Sequence, residues 1–405
     1  MLDLLKCTSV ENTNIPALTS LRQKGKEAFL SISDYNTEAY KYTPFIQSLT
    51  DNMFQTEAPH HHKDCKCHDK FLPFDTDEIH FCNGCPHIHT SFIEGVEISS
   101  LADAVAEHEA QKYLNKFDLD AFPFAALNTA FLQNGLFVRI SKKLNKPIAF
   151  IYHNTQTGAK YIRNIIVCET GVNAEVIEIF QGSSAPCFVN IVNEIFISKN
   201  AVLKHYKWQN EGANTAHIAF SNIQIKTGGK YESYTYQQGA HIARNETHIL
   251  LKEENAEAIV NAAYRLNNNN LIDITTDIQH LAPLTHSNQL VHGIIANQAH
   301  GVFQGKIHIA PNAQQTTGYQ LHKALLLSDD ARIDVKPELE IFADDVQCSH
   351  GATSSDLNAD ELFYLKSRGI DEFTAREILI SAFLDMAFEN IPNNNIKEFF
   401  THPIS

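Results

Sequence analysis

From Leu136 onward the apolar positions of the chain alternate with polar ones, the period of a strand rather than a helix. Runs such as Phe137–Ile140, Pro147–Tyr152, Val176–Phe180, Leu203–Trp208, His217–Ile225 and Ile259–Leu266 predict strands. Small turn pairs lead into these runs at a fixed interval. Asn173-Ala174, Asn200-Ala201, Gly228-Gly229 and Asn255-Ala256 are separated by 27, 28 and 27 residues, and each precedes an alternating segment. Asn312-Ala313 and Asp330-Ala331 repeat the theme at shorter spacing, and 299–309 ends in clear alternation. One strand–turn module per repeat is what a β-solenoid requires, since each coil buries its face on the next. A β-sandwich would place turn signals every ~8–12 residues without a fixed period.

Both flanks change period. Residues 17–30 carry a helical pattern, Ser99 or Ser100 caps an expected helix to about Asn115, and Leu119–Leu132 reads as a helix apolar nearly all round, ended by Asn134-Gly135. At the other end Asn358 with Glu361 resembles a capping box, and Gly369 suits the residue after that helix. The next helix is expected from Asp371 to about Asn390. Ala375, Ile378, Leu379, Ala382, Phe383, Met386 and Ala387 form one apolar stripe, expected to dock on the domain. Phe373, Ile380, Leu384, Phe388 and Ile391 form a second line, a candidate partner surface or, at least as readily, a face packed inside a helical subdomain. The expected organisation is a helical region at 1–135 with a His/Cys-rich loop at 57–89, a parallel β-helix at 136–352, and a helical region at 353–405.

Composition narrows the function classes. A chain of 405 residues can bury a sizeable core, and a net charge of −15 lacks the basic footprint of a nucleic-acid binder. The first ten residues lack the apolar run of a signal peptide, and Ala121–Leu132 is too short and too broken to span a bilayer, so a cytoplasmic protein is expected. Eight cysteines are too few for a disulfide framework in a chain this long.

Two places carry metal-ligand chemistry. Cys348 and His350 sit two apart where the strand pattern gives way to helix, so a continuing strand puts thiol and imidazole on one face. That pair suits zinc, copper or iron–sulfur chemistry but is only part of a site; a buried Cys beside a surface His is the plain alternative. Cys65, Cys67, Cys82 and Cys85, with His60, His61, His62, His68, His80, His87 and His89 around them, have roughly the makings of a tetrahedral zinc site, although the Cys65–Cys67 spacing is shorter than usual. No phosphate-binding loop, His-Glu-x-x-His or Gly-x-Ser-x-Gly is present: Gly228-Gly229-Lys230 lacks the first glycine, and nothing in the spacing forces Asp277 and His280 together.

The second half resembles the SufB/SufD family of iron–sulfur cluster assembly scaffolds. The resemblance rests on Asp277 to His280, Ser287 to Gln289, Gly301 to Ile307, Ala313-Gln314, Gln320, Leu325 to Ser328, and most densely on Asp334 to Ile341, Asp344 to Val346 and Ser367 to Ile370. Tyr40 to Thr43, Asn83-Gly84 and Pro147-Ile148 match more weakly. Gly351 after His350 makes the chain similar to the SufD branch, since SufB proteins have Glu there. The resemblance implies a right-handed parallel β-helix between helical regions. It also implies pairing with a SufB-like subunit, a SufC-like ATPase bound through 353–391, and a nascent iron–sulfur cluster at the shared interface, with His350 and less firmly Cys348 as ligands. The expected role is a non-catalytic scaffold subunit; the alternative is a stand-alone metal-dependent or carbohydrate-active β-helix enzyme.

Overall fold

The computed structural model describes residues 16–31, 40–43, 45, 49–54, 70–88 and 93–401. Its centre is a parallel β-solenoid of about eight coils, and helices lie at both ends of the chain. After β1 (Asp77–Cys82), β2 (Cys85–His87) and β3 (Val96–Ser100), the strands from β4 (Leu136–Ile140) to β19 (Val346–Ser355) go alternately to two facing sheets. The odd-numbered strands with β2 form a ten-stranded sheet and the even-numbered ones with β3 a nine-stranded sheet. Within each, neighbours from β4 onward pair in parallel.

The turn pairs mark the corners of this coil for a steric reason. Asn200, Gly228 and Asn255 adopt positive φ (55°, 61° and 60°), which Asn and Gly tolerate best. The small residue that follows, Ala201 or Ala256, is fully buried in the corner. Stacked corners bond to one another, as from Asn200 N to Thr227 O (2.9 Å) and from Gly228 N to Glu254 O (3.0 Å). The period of the sequence is therefore the length of one coil.

The lumen is filled by ladders of Ile, Val, Phe and Ala such as Phe150, Val176, Ile191, Leu203 and Ile223. Both outer faces are also covered, which is why several strands read as continuous apolar runs. On the nine-stranded sheet lie helices α1 (Pro16–Ser31), α2 (Leu101–Ala106) and α3 (Pro123–Ala130), packing Phe29, Phe124, Leu127 and Phe131 against Tyr161, Phe188 and Ile218. On the ten-stranded sheet lie α5 (Glu372–Asp385) and α6 (Asn394–Thr401), which follow α4 (Ala359–Ser367). Ile380, Leu384, Phe388, Phe399 and Phe400 cover Ile179, Tyr206, Trp208 and Tyr234 there.

Two sequence expectations need correction. The helix begun by Ser100, whose side chain accepts from Asp103 N, ends at Ala106 rather than near Asn115. His108 takes a φ of 64°, and the Glu194 carboxylate captures the amides of Asn115 (2.9 Å) and Lys116 (2.8 Å), so tertiary contacts override helix propensity. In α5 the docking face is the second apolar line: Ile380, Leu384, Phe388 and Ile391 are buried, whereas Ile378 and Met386 of the first stripe are exposed. The α-helix gives way to a 3₁₀ turn at Met386–Phe388, where Ala387 and Phe388 are buried.

Glu194 also holds the fully buried Arg163, at 2.7 Å from Nη2 and 3.2 Å from Nε. Substituting Glu194→Ala would strand a buried guanidinium and free the 115–116 backbone. We expect a loss of about 3–5 kcal/mol in unfolding free energy, read as a lower urea midpoint; a midpoint equal to the parent's would contradict this.

Candidate functional site

The last coil is built from β18 (Arg332–Ile341) and β19, which rest on β16 (His300–Ile309) and β17 (Thr316–Leu326). Among the described residues no strand pairs with the far side of either. Register decides which side chains face inward there. Thr316, Gly318, Gln320, His322 and Ala324 are buried lumen positions, and they stand opposite Val346, Cys348, His350, Ala352 and Ser354. On the other sheet Ile333, Val335, Pro337, Leu339 and Ile341 continue the column of Gly301, Phe303, Gly305, Ile307 and Ile309. The terminal coil thus presents a mouth, apolar on one sheet and carrying a thiol and an imidazole on the other.

Cys348 and His350 share the inward face, as their spacing requires. His350 is exposed; Cys348 is half-buried against Ile307, Ile309, Ala313 and Ala343. Burial pushes the Cys348 thiol up, against a smaller downward pull from the Gly318 backbone. At neutral pH it is a thiol, and metal binding would have to displace its proton.

One coil below lie two polar side chains that sequence reading had not assigned a role. Gln320 donates to Gly305 O (3.2 Å), and a side chain at 305 would collide with it, since a Cβ there would lie 2.5 Å from Oε1. His322 stacks on Phe303 with ring centres 5.0 Å apart and meets the Tyr264 hydroxyl at 3.0 Å through Nε2. The Gln320 Oε1 and His322 Nδ1 atoms are buried with no hydrogen-bond partner among the described residues. Gln320 stands directly opposite His350 in the register, and similarly unpaired buried atoms, such as Thr215 Oγ1 and Gln237 Oε1, lie in earlier coils. The only sequence sign was the alternation of Gln320 and His322 along one strand.

The other sequence candidates fare differently. Asp277 and His280 lie on opposite faces of their strand: Asp277 meets His248 outside (3.3 Å), while His280 is held inside by Thr285 and Ser287, both at 2.8 Å. Cys65 and Cys67 lie outside the described residues. Cys82 and Cys85 are directly opposite each other across a two-residue turn in which Asn83 and Gly84 have φ of 50° and 90°. Their spacing is that of an Asn-Gly hairpin, not in itself a metal signature. Cys82 is disulfide-bonded, and Cys85 accepts from Asn134 Nδ2 at 3.5 Å. A four-thiolate zinc site including both is not formed, and no group of three metal-binding side chains converges among the described residues.

On the C-terminal helices, Phe363 and Phe373 are 73% and 75% exposed and Tyr364 is exposed as well. No helix among the described residues is long and apolar enough to cross a membrane.

The fold is a parallel β-solenoid whose last coil carries a thiol and an imidazole on its inward face. A family profile described as "SUF system FeS cluster assembly, SufBD core domain" matches residues 150–383. The chain belongs to the SufBD family of iron–sulfur cluster assembly proteins. It is 33% identical over 283 residues to an iron–sulfur cluster assembly SufBD family protein of Synechocystis, covering 66% of this chain and 62% of that one. It is 33% identical over 267 residues to the chloroplastic protein ABCI7 of Arabidopsis thaliana, covering 63% and 56%. The match thus spans less than two thirds of either relative's length. With the iron–sulfur cluster assembly protein SufD of Escherichia coli it shares 28% identity over 377 residues, 89% of this chain and 86% of the other.

The buried imidazoles make stability pH-dependent. Burial, with nearby histidines adding to it, lowers His280 and His322 to about 3. Both stay neutral in the fold, whereas the unfolded chain takes up their protons near pH 6.5. Their contribution is therefore complete above pH 6.5 and is lost as pH falls. Between pH 7 and 5.5 the two together are expected to remove about 2–3 kcal/mol of unfolding free energy. Urea unfolding at both pH values checks this, and an unchanged free energy would contradict it.

Proposed function

We propose that this protein is a non-catalytic, SufD-like scaffold subunit that pairs end to end with a SufB-like chain and contributes donors to a nascent iron–sulfur cluster at the junction. The observation that carries this reading is the open last coil, with Cys348 and His350 on the inward column of a strand whose other edge pairs with no strand among the described residues. A free edge takes up another strand readily, and the apolar half of the mouth supplies a surface to bury with it. One imidazole and one thiol are half of a ligand set, so the remaining donors come from the second chain. The cluster is cargo, assembled and passed on. The work is done in the cytoplasm.

The sequence has no ATP-binding loop. Motion at the junction is supplied by a SufC-like ATPase seated on α4 and α5, where Phe363, Tyr364 and Phe373 stand out as aromatic anchors beside the exposed Ile378 and Met386. Closing and opening of the two ATPases would flex the junction and gate cluster formation. A self-sufficient carbohydrate-active enzyme would need paired carboxylates at an accessible cleft. The buried carboxylates Glu178, Glu194 and Glu211 are instead taken by His205, Arg163 and His217 inside the protein.

Two substitutions test the two halves of this reading. In the complex reconstituted anaerobically with SufB-like and SufC-like partners, His350→Ala should leave the complex assembled and lower its cluster content at least ten-fold; undiminished cluster content would overturn the assignment. Phe363→Asp with Phe373→Asp should weaken the ATPase at least about 30-fold, the loss of one anchor of ~2 kcal/mol. Binding as tight as the parent's, with the circular dichroism unchanged, would move the ATPase elsewhere.

A further inference from the structure

Midway along the stack the inward side chains become small. Ala219 and Ser221 on β10 (Thr215–Ile225), Thr235 on β11 (Lys230–Gly239), Thr247 on β12 (Ile242–Leu251) and Ala262 on β13 (Glu257–Leu266) face the lumen. Register stacks them, Ser221 beside Thr247 and Thr235 beside Ala262. One coil earlier the same columns hold larger groups, Asn193 and Lys207. Facing sheets keep their separation along a solenoid, so small side chains on both walls leave space between them. That space is visible in the burial. Ser221, Thr235 and Thr247 point inward yet are only partly buried, and Asn245 and Lys207 keep 8% and 7% of their surface. Phe180, Ile223, Ile249 and Val291, inward around them, are at 0%. Accessible surface on an inward face, sealed by fully buried neighbours, is a closed chamber that admits guests of water size.

The lining is rich in hydrogen-bond donors and carries one positive charge. Lys207, on β9 (Val202–Glu211), donates to His217 Nε2 (3.1 Å) and reaches forward by one coil to donate to Asn245 Oδ1 on β12. The carboxylates that act on this ammonium lie on its other side. Glu178 is opposite Lys207 on β7 (Asn173–Gly182), one coil back, and Glu211 turns back to accept from Asn154 (3.0 Å). Each already has an imidazole partner, His205 for Glu178 and His217 for Glu211. None of the inward residues of β11, β12 or β13 is a carboxylate. Asn245 Nδ2 is buried with no hydrogen-bond partner among the described residues, a donor still to be satisfied.

We propose that this chamber binds a small monovalent anion of halide size, held by the Lys207 ammonium, the Asn245 amide and the hydroxyls of Ser221, Thr235 and Thr247. One ammonium balances one such charge, and the hydroxyls can all turn their protons toward it. A divalent anion would bring a second charge into the interior with no cation to meet it. Burial brings Lys207 down to about 8, and an anion on its forward side opposes that shift and keeps the ammonium charged at neutral pH. The guest joins the two sheets where the side chains themselves do not meet. Binding to the native state alone then stabilises the middle coils by mass action.

Urea unfolding of the full chain at pH 7 and constant ionic strength, with gluconate replaced stepwise by bromide, tests this. Ala262→Leu, which fills the space and leaves every donor in place, sets the baseline for general salt effects. The gap between the midpoints of the parent and this variant should widen in the parent's favour as bromide rises. Thr235→Val with Thr247→Val keeps the volume, removes two neutral hydrogen bonds and should weaken bromide binding roughly ten-fold or more. Lys207→Met should abolish it; if that variant does not fold, the valine pair still reads the site. Crystals of the parent grown in bromide should show an anomalous peak in the lumen within hydrogen-bond reach of Lys207 Nζ, and crystals of Ala262→Leu should not. A bromide response shared by the parent and Ala262→Leu, or a chamber holding water and no anomalous peak, would overturn the proposal.

Discussion

Everything in this molecule hangs on parallel backbone pairing between successive coils, and on the fact that this pairing has to stop. Each interior strand has both edges satisfied by the coils below and above. The start of the stack is closed by antiparallel strands, β2 against β1 and β3 against β4. The end has no such device among the described residues: β18 and β19 keep an open edge, and their inward side chains lose the cover that every earlier coil enjoys. An uncapped edge invites association, and proteins usually blunt it. Here it carries Ile341, Phe342, Cys348 and His350, the features on which the proposed junction rests.

The lumen is not uniformly dry hydrocarbon, and its polar groups survive because they are paired. Glu178 binds His205 (2.9 Å), Asn193 (2.9 Å) and Tyr152 (3.1 Å); Glu211 binds His217 (2.8 Å), Asn154 (3.0 Å) and Gln209 (3.1 Å). Burial drives both carboxyls up, yet these partners and the Lys207 charge hold them below the usual range. Burial in turn brings Lys207 down to about 8, against the pull of the two carboxylates. Such a network contributes little net stability over an apolar filling, but removing one member is costly. Pairing is incomplete at some atoms both in the middle coils, as at Asn154 Oδ1, Thr215 Oγ1 and Gln237 Oε1, and near the mouth, at Gln320 Oε1 and His322 Nδ1, among the described residues.

Much of the architecture was legible in the sequence because a repeated steric requirement leaves a repeated residue choice. Positive-φ corners call for Asn or Gly, and the tight inner corner calls for Ala, so Asn200-Ala201 and Asn255-Ala256 reported the coil length directly. That Cys348 and His350 share a face followed from a period of two; that the face is the inward one came from the register with β17. What did not show was anything set by partners far along the chain. Glu194, remote in sequence, captures the backbone at 115–116, where the helix was expected to reach. The docking stripe of α5 was misjudged because two apolar lines compete and only the surface beneath them chooses. Cys82 and Cys85 looked like metal ligands because a hairpin turn and a ligand pair have the same spacing. His80 and His153 are 73 residues apart in sequence and adjacent in space, a juxtaposition that no local pattern announces.

The central claim is that the open coil receives a second chain, and amide hydrogen exchange along that coil tests it most directly. In the isolated protein the outer amides of 332–341 and 346–355 should exchange rapidly. On addition of a SufB-like partner these two segments should become protected together, while the corners of earlier coils stay unchanged. Formation of a stable complex with both segments still exchanging at the isolated rate would contradict the account.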